Sequence, residues 1–178
     1  MPKGGVERTD ATDTEFELRD PAAEVEELFR DHQVRLLRAL YLMTGNAAEA
    51  EDLLQDAFAK VWLHWDRVRR MEDRVGYLYR TAMNAFRSRW RRRTVELRHR
   101  ETARTPPDPI DIATDRQAVI SALREVPPRQ RLALVLTEFL DRSPGEAAAI
   151  LGVQEATARS LASQARARLR QKLALTDG

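Results

Sequence analysis

Arginine is the residue type with which this chain could do chemistry, and that chemistry is the recognition of phosphates and base edges. Only three of its 30 basic side chains are lysine: Lys3, Lys60 and Lys172. A guanidinium offers a planar fork that donates two parallel hydrogen bonds to a phosphate or to the major-groove edge of guanine. Codon bias in a GC-rich genome produces the same excess and accounts for most of it, so position has to decide. Two positions stand out. Arg159, Ser163, Arg166 and Arg170 recur at helical spacing opposite an apolar stripe of Ala158, Ala162, Ala165 and Leu169. Earlier in the chain, Arg80, Asn84, Arg87 and Arg91 share a face opposite Val75, Leu78, Ala82, Ala85 and Phe86.

The elements that position these side chains can be read from local signals. Ser143-Pro144-Gly145-Glu146 has a serine N-cap, a proline in the first turn and an acid three residues after the cap. Gly152 suits a tight turn at positive φ, and Gln154 to Thr157 opens a second helix. A short helix, a glycine turn and a longer helix describe a helix-turn-helix, whose second helix enters the major groove. An ordinary amphipathic helix pair would carry the same pattern, so both readings stand at this point.

Upstream, a helix is expected from Pro21, with Val25, Leu28, Phe29, Leu36, Leu37, Leu40 and Tyr41 at helical spacing. Thr44-Gly45-Asn46 breaks it: Gly45 suits a C-terminal cap and Asn46 a new N-cap. Ala47 to His64 then carries Ala50, Leu53, Leu54, Ala57, Phe58, Val61 and Trp62 on one face and Glu49, Asp52, Asp56 and Lys60 on the other. Trp65 to Asp73 is charged and poorly periodic, which predicts a loop. Helix resumes from Arg74 to about Arg93.

Thr105-Pro106-Pro107-Asp108-Pro109 cannot continue a helix, because proline lacks the amide donor and clashes with the preceding turn. Residues 94–114 therefore read as a linker. Helical pattern returns from Asp115: first Val119, Ile120 and Leu123, ended by Pro127-Pro128, then Leu132, Leu134, Val135, Leu136 and Phe139. The predicted fold class is all-α: two small helical domains joined by a Pro-containing linker, the second with a helix-turn-helix. The expected boundaries are a polar, acidic, disordered tail over 1–20, a first domain over 21–93, the linker, and a second domain over 115–175.

Composition narrows the classes further. Formal net charge is only +2, but Asp66 to Arg104 carries 13 arginines against five acids, while Met1 to Arg30 carries nine acids against four bases. Such asymmetry is a footprint of nucleic-acid contact, although solvated helix faces produce it too. There is no cysteine, so disulfides and thiolate metal sites are excluded. His32, His64 and His99 form no metal-ligand spacing, and no cofactor is expected. No Gly-rich phosphate loop or nucleophile–base arrangement points to an enzyme. With no long apolar run and no signal-peptide pattern, a cytoplasmic location is expected.

Two stretches carry a family resemblance. Ala50-Glu51-Asp52-Leu53-Leu54-Gln55-Asp56-Ala57-Phe58 with Val61-Trp62 resembles the polymerase-binding helix (region 2.2) of extracytoplasmic-function (ECF) sigma factors. Gly76-Tyr77-Leu78-Tyr79-Arg80-Thr81-Ala82-Met83-Asn84, followed by Arg87, Arg89 and Arg91-Arg92-Arg93, resembles their helix that reads the −10 element (region 2.4). Leu123 to Arg131 resembles the start of region 4, and Ser143 to Leu169 its helix-turn-helix for the −35 element. Together these cover about residues 22–173, in the family's order.

The resemblance implies a set of partners and roles. Glu51, Asp52, Gln55 and Asp56, beside Leu54 and Phe58, would dock on the clamp helices of the largest subunit of core RNA polymerase, with a second contact to its flap. The loop from Trp65 to Asp73 would hold a base flipped from the −10 strand. Arg80, Asn84 and Arg87 would touch the −10 element, with Arg91, Arg92 and Arg93 on phosphates. Thr157, Arg159, Ser160, Ser163, Arg166 and Arg170 would face the −35 element. Trp65 is open between a base-stacking platform and core packing, whereas core packing is favoured for Trp62. Leu161 stands where the family often has a DNA-contacting arginine, which implies an altered −35 preference through apolar contact with a thymine methyl. An anti-sigma partner is plausible on the same grounds, and no small-molecule substrate is implied. A stand-alone helix-turn-helix regulator remains the alternative, but it leaves the acidic helix from Ala50 to Trp62 without a role.

Overall fold

The computed structural model describes residues 20–99 and 114–174, with side chains described over 20–93 and 117–174. Among the described residues the regular elements are all helical. Residues 1–19 of the expected disordered tail over 1–20, and the prolines of the linker, lie outside them.

Helix α1 (Pro21–Thr44) starts on Asp20, whose carboxylate accepts from the Ala22 amide at 3.1 Å, and ends on Gly45 at φ 66°. Glycine is needed there twice. The left-handed conformation penalises any Cβ, and Arg124 packs so close that a Cβ would meet its Cδ at 2.6 Å. Asn46 caps α2 (Ala47–Leu63) by accepting from the Glu49 amide at 2.8 Å. The predicted loop after it is instead a short helix, α3 (Trp65–Val68), followed by a turn. Its cause is tertiary: Trp65 and Val68 are buried against α1 and α2, which sequence periodicity over four residues cannot reveal. Helix α4 (Arg74–His99) continues past the expected end near Arg93.

Helix α5 (Thr114–Glu125) ends before the two prolines, and Pro128 begins α6 (Pro128–Leu134). The expected single helix through Phe139 loosens into a π-turn (Val135–Phe139), closed by the Leu140 amide on the Val135 carbonyl at 3.0 Å. Helix α7 (Pro144–Leu151) has the anticipated capping box: the Glu146 amide donates to Ser143 Oγ at 3.2 Å, and the Ser143 amide donates to Glu146 Oε2 at 2.8 Å. Gly152 turns at φ 67° into α8 (Glu155–Ala174).

The capping box has a pH consequence. Hydrogen bonds from Ser143, then from Arg142, hold the Glu146 carboxyl down at about 2 against 4.5. The box therefore stabilises the fold fully above pH 4.5, and its contribution fades as pH falls towards 2. The side chain is 42% exposed, so screening limits the effect to about 1 kcal/mol. Ser143→Ala is expected to lower the unfolding free energy by about 1 kcal/mol at pH 7 and by less at pH 3, read from urea titrations at both pH values.

The two helical units do not hang apart on a linker. One apolar core runs from Leu36, Leu40 and Leu78 of the first unit into Leu132, Leu136 and Ile150 of the second. Around it, side chains of each unit donate to carbonyls of the other. Arg35 donates to the Phe139 carbonyl at 3.2 and 2.9 Å and pairs with Asp141. Arg142 lies 4.9 Å from the Tyr79 ring centroid. Arg131 reaches back to the Met43 carbonyl at the end of α1. A π-turn tilts carbonyls out of the helical ladder, and here it is the Phe139 carbonyl that Arg35 takes.

Candidate nucleic-acid interface

Three surfaces are built by this frame. On α2, Glu51, Asp52, Gln55 and Asp56 are exposed, as expected for a docking face. Asp52 and Asp56 are not independent acids: Arg89 of α4 holds them at 3.3 and 3.6 Å. Leu54 and Phe58 offer less apolar contact than expected: they are only 8% and 7% exposed, and of the two only Phe58 reaches the surface groove beside α1. Trp62 corrects the expectation in the other direction. Favoured for the core, it is 51% exposed, and with Phe29 and Phe58 it lines a shallow groove between α1 and α2. Glu49, assigned to the outer face, is buried and accepts from Arg93 at 2.7 Å.

On α4, Arg80, Asn84, Arg91 and Arg92 are exposed, and among the described residues neither Arg91 nor Arg92 pairs with an acid. Arg93 is committed to Glu49 and cannot serve a phosphate without leaving a buried carboxylate. Arg87 is half-buried. It donates to the Leu151 carbonyl at 3.0 Å and to Asn84 Oδ1. Burial, and then the neighbouring charges of Arg129 and Arg91, push its guanidinium below the usual range.

Trp65 is a clear correction. It is 4% exposed, and its indole Nε1 donates at 3.1 Å to Glu24, which also pairs with Arg69 at 3.1 Å. A ring so enclosed cannot stack a flipped base in this arrangement; it anchors the chain that would. Trp65→Phe is expected to cost about 1–2 kcal/mol of stability, because Glu24 loses a buried donor. Promoter melting, followed by 2-aminopurine fluorescence in the −10 element, is expected to match the parent once the protein is folded. A melting defect in a folded Trp65→Phe protein would return the ring to a direct role.

On α8, Thr157, Arg159, Ser160, Ser163, Arg166 and Arg170 are all exposed. Ala158, Ala162 and Ala165 are buried, which lets α8 lie close on α6 and α7. Arg159 pairs with Glu155 one turn back, and Arg166 lies 3.7 Å from Glu138. Leu161 is not presented with the arginines. It is half-buried and packs against the shared core, so the expected contact with a thymine methyl does not hold in this arrangement.

Among the functional residues that sequence reasoning missed are Arg35 and Arg131. A run of charged residues gives no sign of which arginine will meet a carbonyl roughly a hundred positions away.

An exposed arginine helix in one helical unit and a capped helix-turn-helix in the other define a DNA-binding transcription protein with two reading surfaces. Comparison with known proteins narrows this. Residues 28–95 match the model of Sigma-70 region 2, and residues 116–169 that of Sigma-70, region 4. The chain is 34% identical to the RNA polymerase sigma-E factor of Streptomyces coelicolor, over 86% of this chain and 88% of that protein. It is also 34% identical to the ECF RNA polymerase sigma factor SigE of Mycolicibacterium smegmatis, over 84% of this chain and 61% of that protein. Among solved structures it resembles the sigma factor RpoE of Bartonella quintana, crystallised with the anti-sigma factor NepR: TM-score 0.67, 26% identity, 83% of this chain and 97% of that one. The chain belongs to the ECF group of the sigma-70 family, whose members are transcription initiation factors. Among the described residues, no helix is long and apolar enough to cross a membrane.

Proposed function

We propose that this protein binds core RNA polymerase and directs it to promoters, with the face of α2 docking on the polymerase and α4 and α8 reading the −10 and −35 elements. The observation that carries this reading is the presence of two exposed arginine helices, α4 and α8, together with an exposed acidic face on α2 that Arg89 of α4 neutralises only in part. Residues 21–93 serve as the polymerase and −10 domain, residues 115–175 as the −35 domain, and residues 94–114 as the linker between them. Glu51, Asp52, Gln55 and Asp56 make the polymerase contact, and Trp62 extends it as an exposed aromatic beside them. Arg80, Asn84, Arg87, Arg91 and Arg92 serve the −10 element; Thr157, Arg159, Ser160, Ser163, Arg166 and Arg170 serve the −35 element. The chain performs no chemistry itself and works in the cytoplasm, where polymerase is.

Promoter binding needs the α4 face, and part of it faces the second domain: Arg87 is held on the Leu151 carbonyl. Binding to polymerase therefore separates the two domains. An anti-sigma partner would act by holding them as they are or by covering α2.

The test is run-off transcription with core polymerase lacking sigma and a library of promoter fragments. Transcripts that need the added protein are expected, and their start sites yield both promoter elements. Core binding without DNA specificity, or DNA binding without core binding, would overturn the reading. The second result would favour a stand-alone regulator.

A further inference from the structure

Between the arginine face of α4 and the start of α6 lies a cleft of about 850 Å3, a size usual for small-molecule sites. Arg87 and Arg91 enter it from α4, and Arg129 from α6 on the opposite wall. Among the described residues no carboxylate lines this cleft. Among the described residues Arg91 and Arg129 have no acidic partner, and both press their charge on Arg87. Like charges held together without an acid leave a site that an anion would relieve.

The floor is apolar and flat. Trp90 is 40% exposed, with Phe86 stacked beside it at 6.5 Å and the Arg131 guanidinium 5.9 Å from its ring. Pro127, Pro128, Leu132 and Leu161 complete it. Two amides, Asn84 and Gln130, stand at the edges, and Gln130 Oε1 is buried without a hydrogen-bond partner. An anion-binding wall beside a part-exposed aromatic ring suits one ligand chemistry: phosphate joined to a planar base.

We propose that this cleft binds a free nucleotide, with its phosphates on Arg87, Arg91 and Arg129 and its base against Trp90, and that the bound nucleotide ties the two domains together. Promoter DNA does not suit the same space, because both walls are protein and the far wall belongs to the other domain. The binding stands on the cleft alone. Its consequence rests on the proposed function: if Asn84, Arg87 and Arg91 serve the −10 element, nucleotide and promoter exclude each other, and nucleotide level would tune initiation.

Equilibrium dialysis of the full chain against labelled ATP and GTP tests this, with inorganic pyrophosphate as the anion-only probe. Saturable nucleotide binding is expected, with pyrophosphate at least ~tenfold weaker because it lacks a base to stack. Arg129→Ala, an exposed change outside both reading helices, should weaken nucleotide binding ~tenfold by removing one charge-assisted hydrogen bond. Arg159→Ala, on the far face of α8, should leave it unchanged. Absence of saturable binding overturns the proposal. So does pyrophosphate binding as tightly as the nucleotides, or an equal weakening in Arg159→Ala, which would mark general attraction to arginine surfaces. Saturable binding abolished in Arg129→Ala but undisturbed by promoter DNA sustains the cleft and counts instead against the −10 role of α4.

Discussion

Replacing Arg131 with methionine is expected to lower the unfolding free energy by about 3 kcal/mol, a large share of a small protein's stability. Arg131 is 2% exposed, the most deeply buried charged side chain among the described residues. Its guanidinium donates to the carbonyls of Arg124 at 2.7 Å and Val126 at 3.0 Å, closing the turn between α5 and α6. It also donates to the Met43 carbonyl, in the last turn of α1, a turn that has no basic residue of its own. A cation there meets the negative end of the α1 dipole. Burial pushes the group down to about 10, so it stays charged at neutral pH. Methionine fills much of the volume but leaves the carbonyls of Met43, Arg124 and Val126 without this donor. Arg131→Lys should recover only part of the stability, since a single ammonium cannot span acceptors set around a planar fork. Urea denaturation checks both variants. Because Met43 and Arg131 lie in different domains, a second, broader transition is expected in Arg131→Met as the domains uncouple.

The other large effect concerns DNA. In holoenzyme, Arg91→Ala with Arg92→Ala is expected to flatten the log–log salt dependence of promoter binding by about two units, one for each phosphate that no longer meets a guanidinium. Between 50 and 200 mM salt, affinity should then fall by roughly one decade less than it does in the parent. The weakening should be similar across promoter sequences, because phosphates carry no base identity. Adding Arg93→Ala should change the slope no further, since Arg93 is already held by Glu49. It should instead cost stability, by leaving a carboxylate buried and unpaired. Nitrocellulose filter binding over a salt series reads the slopes. An unchanged slope in the double variant would remove Arg91 and Arg92 from the phosphate path. A further unit of flattening with Arg93→Ala would mean that the Glu49 pair opens on DNA.

Much of the fold is legible because its signals are local. Asp20 aside, the caps are written in residue types: Gly45 and Gly152 at positive φ, Asn46 and Ser143 accepting from amides three positions on. The buried stripe of Ala158, Ala162 and Ala165 and the exposed arginines opposite it follow from helical phase alone. Where the structure departs from these expectations, a neighbour distant in sequence decides. Trp65 reads equally well as a stacking platform or a core residue until Glu24, 41 positions earlier, takes its indole proton in a hydrogen bond. Trp62 lies on the apolar face of α2, yet its ring is half exposed beside α1. Leu161, expected at a DNA-facing position, is drawn inwards by packing against the core.

The sequence by itself determined the helices, their caps, the helix-turn-helix and the arginine faces, because each depends on residues within one or two turns of each other. Only the tertiary structure decided which charges are free. Arg91, Arg92 and Arg129 stay without acidic partners among the described residues, while Arg35, Arg69, Arg93 and Arg131 are occupied by carbonyls and carboxylates between 5 and 106 positions away. An arginine's role depends on what lies at the end of its long side chain, and chain folding, not local spacing, sets that neighbour.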